Sequence, residues 1–398
     1  MKEALEGLRV LDFSRFAAGP YISLLLADIG ADVTRVEPPV GSPDRWWGLR
    51  APDGQSLTVR AMNRNKRGIT LNLRKDSPEV EELLSKLVER SDVVIHNFVT
   101  GSIEDEKLSY KRLKEINPRV ITVTVSGFGN NGPYADWVAF APVAEAMSGA
   151  NWISGFPGNP PTRSTIPYAD MGAATTAAFG IMAALWHRER TGEGQAVDTS
   201  LFDVSVSWIQ CLGAFLLYRV YGKQRRQIGN SGFVSFCDSF EAKDGWVFVG
   251  AMGDAIWQRM VKVIGKIEWL DDPRFKNDDL RFENQDEIRP VVAEWIKTRT
   301  VDESVAELQK GGVVSAPVYD VPQVMDDPQV KAREMMVEIE DPALGKIPLP
   351  GVMPKFSKTP GAIKSNAPAL GQHNESVYCG ECGLTRERLS DLKEKGVI

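Results

Sequence analysis

The apolar positions of the first 130 residues alternate between two periods. Leu8–Phe13, Asp32–Val36, Gly68–Leu73, Asp92–Ile95 and Val120–Val125 are short runs rich in β-branched residues, and each reads as a strand. Between them lie stripes with helical spacing. Tyr21–Ile29 carries Leu24, Leu25, Leu26 and Ile29, and Tyr110–Ile116 is a shorter example. Ser77–Arg90 is the clearest: Ser77 offers an N-cap, Pro78 suits the first turn, and Val80, Leu83, Leu84, Leu87 and Val88 make the apolar face. Strands alternating with helices at this spacing predict crossover units and a mostly parallel, covered sheet.

The pattern then changes. Gly127–Tyr168 is rich in glycine and proline and reads as loop. A long helix of small residues is predicted to begin at Met171, with Asp170 as its N-cap, and to end near the turn at Arg190–Gly194. A strand at Ala196–Asp198 and a single helix over Leu201–Tyr218 follow, then the polar linker Lys223–Arg226. Residues 233–315 read as a smaller α+β unit. Its strands are Phe233–Phe240 and Trp246–Val249, and its helices Asp254–Ile264, Asp286–Lys297 and Val301–Lys310. Ile347–Pro360, with four prolines, reads as an extended return segment.

Composition narrows the chemistry. A chain of 398 residues allows two or three domains. Acids outnumber bases 53 to 47, a net charge of −6 that argues against a nucleic-acid binder. Only three histidines (His96, His187, His373) and four cysteines are present, which argues against a zinc protein or a Cys–His hydrolase. Chemistry then falls to a carboxylate, or to the thiol of a cofactor or substrate. The first residues lack the apolar core of a signal peptide, and Met171–Trp186 is too short and polar to span a bilayer, so a cytoplasmic protein is expected. Cys379 and Cys382 form a lone C-x2-C on a predicted C-terminal helix, read as packing or an incidental disulfide rather than a metal site.

Four features carry candidate chemistry. Gly127-Phe-Gly-Asn-Asn-Gly132 matches G-x-G-x-x-G, but Pro133 follows at once and a plain turn is the better reading. Arg64, Lys66, Arg67, Arg74 and Lys75 surround one strand and suit either phosphates or a solvated edge. Asp170 suits a cap, or a carboxylate beside a helix start open to a ligand. Trp46, Trp47, Phe140, Phe233 and Phe236 suit an apolar pocket or the core.

Taken in order, several blocks resemble the class III CoA-transferases, the family of formyl-CoA and carnitine CoA-transferases. They are Leu8–Pro20, Gly30–Pro39, Asn65–Leu73, Asp92–Phe98, Ser126–Tyr134, Pro160–Arg163 with Asp170, Arg190–Gln195, Asp244–Trp246 and Met353–Phe356. The resemblance implies an α/β protein with a Rossmann-like large domain, a smaller α+β domain, and ring-like chains interlocked as a homodimer. Residues 1–220 and 321–398 would build the large domain and 221–320 the small one. It implies that CoA moves from an acyl-CoA to a carboxylic acid through an aspartyl-CoA thioester on Asp170, without a metal. Ala17, Ala18, Leu71, Arg74, Asn97, Phe98 and Met171 match CoA-contacting positions. Trp47 and Phe140, among the aromatics above, are read as lining the substrate pocket, and Gly229 and Gly232 match a glycine-rich loop over it. The polar residue some members carry at position 17 is Ala17 here, and a basic CoA contact is replaced by Asp105. α-Methylacyl-CoA racemases share the fold but use a histidine from a Gly-His-Asp block. The matching residues here are Ala139-Phe140-Ala141, so racemisation is the lesser alternative.

Overall fold

A computed structural model describes residues 3–398, which separate into two compact units. Of the described residues, the first unit comprises 3–149, 164–209 and 332–398, and the second 150–163 and 210–331.

The first unit is organised around six parallel strands: β1 (Arg9–Asp12), β2 (Asp32–Glu37), β3 (Lys66–Thr70), β4 (Val93–His96), β5 (Ile121–Ser126) and β6 (Ala196–Ser200). Their order is β3-β2-β1-β4-β5-β6, that of a doubly wound nucleotide-binding sheet. Alternation within strands splits the core in two, because neighbouring side chains leave opposite faces. Val93 and Ile95 enter a cluster with helices α1 (Ala18–Ala27) and α5 (Tyr168–Thr191), while Val94 enters a second with α2 (Pro78–Glu89). Helices α3 (Ile103–Lys107), α4 (Ala141–Met147) and α6 (Leu201–Ile209) complete the elements near the site. The Ser77 side chain accepts from the Val80 N–H and caps α2.

The outer edge of β3 is covered by a distant segment. His373 N–H donates to the Gly68 carbonyl at 2.8 Å, Thr70 N–H to Asn374 Oδ1 at 2.9 Å, and the Tyr378 hydroxyl to the Thr70 carbonyl at 2.7 Å. The return segment pairs Gly345–Pro350 antiparallel with Met336–Asp341.

The second unit holds a three-stranded antiparallel sheet, Phe236–Glu241, Trp246–Ala251 and Val314–Pro317. Helices Asp254–Val263, Gln285–Lys297 and Val301–Lys310 pack Trp257, Val292 and Leu308 into its core.

Several expectations are corrected. The expected helix over Leu201–Tyr218 breaks, because Gly213 adopts φ +65° between α6 and a separate helix at Ala214–Tyr221. The loop-rich 127–168 segment contains α4 and a single turn at Ala150–Ile153. Helix α5 starts at Tyr168 behind Pro167, so Asp170 is its third residue and not its N-cap. Cys379 ends one wide turn and Cys382 follows it, both as free thiols.

Candidate active site

In a sheet of this order, β1 and β4 lie side by side while their following connections depart to opposite sides, which opens a crevice at the strands' carboxyl ends. Two loops line it. After β1 the chain runs Ser14-Arg15-Phe16-Ala17 into α1. After β4 it runs Asn97-Phe98-Val99-Thr100 toward α3.

The first loop is held tightly. Asp12 accepts from the Ser14 N–H at 2.9 Å, from the Ser14 and Ser23 hydroxyls, and from Lys66 Nζ at 3.0 Å. Phe16 adopts φ +65°, a left-handed conformation costly for a residue with a Cβ. Its N–H donates to Asp44 at 3.2 Å, and Asp44 is ion-paired to buried Arg35 at 2.9 Å. The Phe16 ring makes edge contacts with Phe140 at 5.4 Å and Trp47 at 6.1 Å. Gly19 cannot be larger: a Cβ there would stand 2.2 Å from Ser14 Cβ.

Asp170 lies opposite, in the first turn of α5. Burial raises its carboxyl, and the nearby charge of buried Glu145 on α4 adds to this, giving a pKa of about 6. The helix start favours the anion, but burial outweighs it. The result is a carboxylate ionised at neutral pH yet more basic than one in water. Behind it Gly172 admits the Trp208 ring, which a Cβ would meet at 2.6 Å.

A cavity of about 230 Å³ brings Ala17, Ala18, Arg74, Asn97, Phe98, Phe140 and Asp170 together. A second cavity of about 460 Å³ is lined by Leu71 and by Phe13, Val36 and Pro38. The two share Arg15, Arg74, Phe98 and Glu104. Trp47 lines neither and is 57% exposed, its ring meeting Phe16 of the first cavity edge-on. Met171 is partly buried and also lines neither. Gly229 and Gly232 belong to the second unit, where Gly229 (φ +63°) packs on the Phe156 ring. Arg15, Phe16, Glu104 and Trp137 line the first cavity without having been singled out. Arg15 and Phe16 stand inside the block Leu8–Pro20, and Glu104 follows the Ser102 cap of α3, so position alone was the signal.

The basic residues fit neither expectation fully. Arg64 pairs with buried Asp28 at 2.6 Å, Lys66 is buried against Asp12, and Arg67 pairs with Asp32 at 2.8 Å and with Glu381. Lys75 donates to the Lys395 carbonyl, leaving Arg74 as the one of the five on the cavity wall. Gly127–Gly132 is a turn pinned by Asn130 N–H to Asp198 at 2.9 Å. Among the described residues no group of three or more His, Cys, Asp or Glu is placed to hold a metal ion. No single helix among them is long and apolar enough to cross a membrane.

The profile of CoA-transferase family III matches residues 5–374. The chain is 38% identical over 397 residues to succinyl-CoA–D-citramalate CoA-transferase of Chloroflexus aurantiacus, covering 99% of this chain and 98% of that one. It is 32% identical to formyl-CoA:oxalate CoA-transferase of Streptomyces avermitilis over 422 residues, covering both chains fully. The crystal structure of a CaiB/BaiF family protein from Brucella suis superposes with a TM-score of 0.83 at 31% identity, covering 96% of this chain and 100% of that one. The chain belongs to CoA-transferase family III, and it is a CoA-transferase acting between an acyl-CoA and a carboxylic acid.

Proposed function

We propose that CoA is moved by covalent catalysis at Asp170. The observation that carries this reading is the place of that carboxylate: on the wall of the switch-point cavity, with its titration raised to about 6. A carboxylate oxygen attacks the thioester carbonyl carbon, the C–S bond breaks, and CoA leaves as thiolate from an acyl-aspartyl anhydride. The thiolate then attacks the Asp170 carbonyl carbon of the anhydride. The donor acid leaves as its carboxylate, and an aspartyl-CoA thioester remains. The acceptor carboxylate repeats the sequence in reverse and frees Asp170. No net proton is taken up or lost, so the cycle needs no separate base. A racemase would need one, and Phe140, a hydrocarbon ring, stands in the place matching its histidine.

Relatives are named for succinyl-CoA with D-citramalate or L-malate, and for formyl-CoA with oxalate. Succinyl-CoA and dicarboxylic acceptors therefore come first in a substrate panel. The Phe16–Phe140 wall adds a donor with an apolar or aromatic acyl group. The reading includes a cytoplasmic homodimer with interlocked ring-like chains. Helix Ala214–Tyr221 supports a covering partner, since none of its residues is buried and Leu216, Val220 and Tyr221 are exposed. Incubation with acyl-CoA and hydroxylamine should trap an aspartyl hydroxamate at residue 170, and Asp170→Ala should abolish transfer with the fold intact. No hydroxamate, or retained transfer, would overturn the mechanism.

A further inference from the structure

The two cavities of the first unit meet at one carboxylate. Glu104 is 4% exposed and lines both. Its Oε1 accepts from Arg74 Nε at 2.6 Å and faces Arg15 Nη2 at 3.6 Å. Arg15 is placed by other means as well: its backbone is tied to Asn97, and its guanidinium lies over the Phe98 ring at 4.6 Å. Among the described residues the bond to Glu104 is the one hydrogen bond of the Arg74 side chain, which is 71% exposed. Each guanidinium carries five N–H donors, so most donors at this junction are uncommitted.

The geometry points to a positioning role for Glu104: it holds Arg15 and Arg74 as one clamp for the diphosphate of the acyl-CoA. This rests on the CoA-transferase reading above. An acyl-CoA is a thioester-bearing arm and an adenosine joined through a diphosphate. With the thioester at Asp170 in the first cavity and the adenosine against Val36, Pro38 and Leu71 in the second, the diphosphate falls at the junction. Planar guanidinium forks match phosphate oxygens in pairs. Glu104 has the wrong charge to touch a phosphate. Its part is to offset the desolvation of half-buried Arg15, whose pKa burial lowers and Glu104 raises, and to keep Arg74 from swinging into water.

The test compares three donors: acyl-CoA, acyl-dephospho-CoA (no 3′-phosphate) and acyl-pantetheine (no phosphate). Glu104→Gln should raise KM for the first two about tenfold, the scale of one charge-assisted bond, with kcat held within about twofold. Glu104→Asp should restore most of the loss, and with acyl-pantetheine the wild-type-to-variant ratio should collapse toward unity. Arg74→Gln, on a side chain that is 71% exposed, should repeat the pattern and add little to Glu104→Gln. Calorimetric CoA affinity reads the same effect without turnover. An equal loss with acyl-pantetheine would mark Glu104 as merely structural and overturn the clamp. A loss confined to donors carrying the 3′-phosphate would overturn the diphosphate assignment. Failure of the underlying reading shows separately, as a wild-type enzyme that forms no hydroxamate at Asp170.

Discussion

Asn97 is bonded twice to the backbone of Arg15: its Oδ1 accepts from the Arg15 N–H at 2.8 Å, and its Nδ2 donates to the Arg15 carbonyl at 2.8 Å. One side chain thus splices the loop after β4 to the loop after β1, directly before strained Phe16. Asn97→Ala should lower unfolding free energy by about 2 kcal/mol, two net hydrogen bonds, and reduce kcat/KM as the loop relaxes. Asn97→Asp keeps the acceptor and loses the donor, and should fall between. Denaturant unfolding and steady-state kinetics on the two variants check the order.

Asp170 should trade stability for chemistry. Its carboxyl titrates near 6 in the fold against 3.8 in the unfolded chain. Between those values the folded state holds the proton more firmly, so stability falls as pH rises through the window and the penalty is complete above 6. Asp170→Asn removes the penalty. It should gain up to roughly 3 kcal/mol at pH 7 and almost nothing at pH 3.5, while losing transfer. For the wild type, kcat/KM should drop as pH falls below about 6, because the protonated acid is no nucleophile. Unfolding midpoints across pH and a pH–rate profile measure both.

The Lys66–Asp12 pair is fully buried, and burial pulls Lys66 down to about 8 against the opposing pull of Asp12. Lys66 Nζ also donates to Asn63 Oδ1 at 2.8 Å and the Pro20 carbonyl at 2.9 Å. Lys66→Met should cost about 3–5 kcal/mol, since it strands the Asp12 charge in the core. Adding Asp12→Asn should recover part of that loss. A double-mutant cycle by denaturant unfolding reads the coupling, and additive losses would contradict it.

Racemisation makes an opposite prediction about hydrogen. Incubated with a 2-methylacyl-CoA in D2O and no acceptor acid, the enzyme should leave the α-carbon proton in place. Mass spectrometry of the recovered thioester reads deuterium uptake directly. Uptake at enzymatic rates would put a proton-abstracting base near the thioester and contradict the Asp170 pathway.

Local signals carried far along this chain, and pairings did not. Ser77, Pro78 and the stripe after them specify α2 without help from the rest of the molecule. Strands β1, β2, β4 and β5 announce themselves as branched runs because both faces of a parallel sheet are buried. The start of α5 was misplaced by three residues. Asp170 is a good cap by type, yet Pro167 sets the boundary and Tyr168 and Ala169 accept helical geometry. The cations around β3 were ambiguous because their partners, Asp12, Asp28, Asp32 and Glu381, come from other parts of the sequence. Only the strand order brings them together. Asp170 was legible as a carboxylate at a helix start, whereas the junction at Glu104 needs two loops to meet before it exists.

The cover on the edge of β3 has a consequence for biosynthesis. Thr70 waits for Asn374 and Tyr378, 304 and 308 residues later. At typical translation speeds of about 5–20 residues per second, that interval is roughly 15 to 60 s. Throughout it, a growing chain carries β3 as an open edge strand, its unpaired groups able to recruit a neighbouring chain. The edge of β3 is therefore made early and covered late, and the growing chain offers it to neighbouring chains until residues 374 and 378 are made.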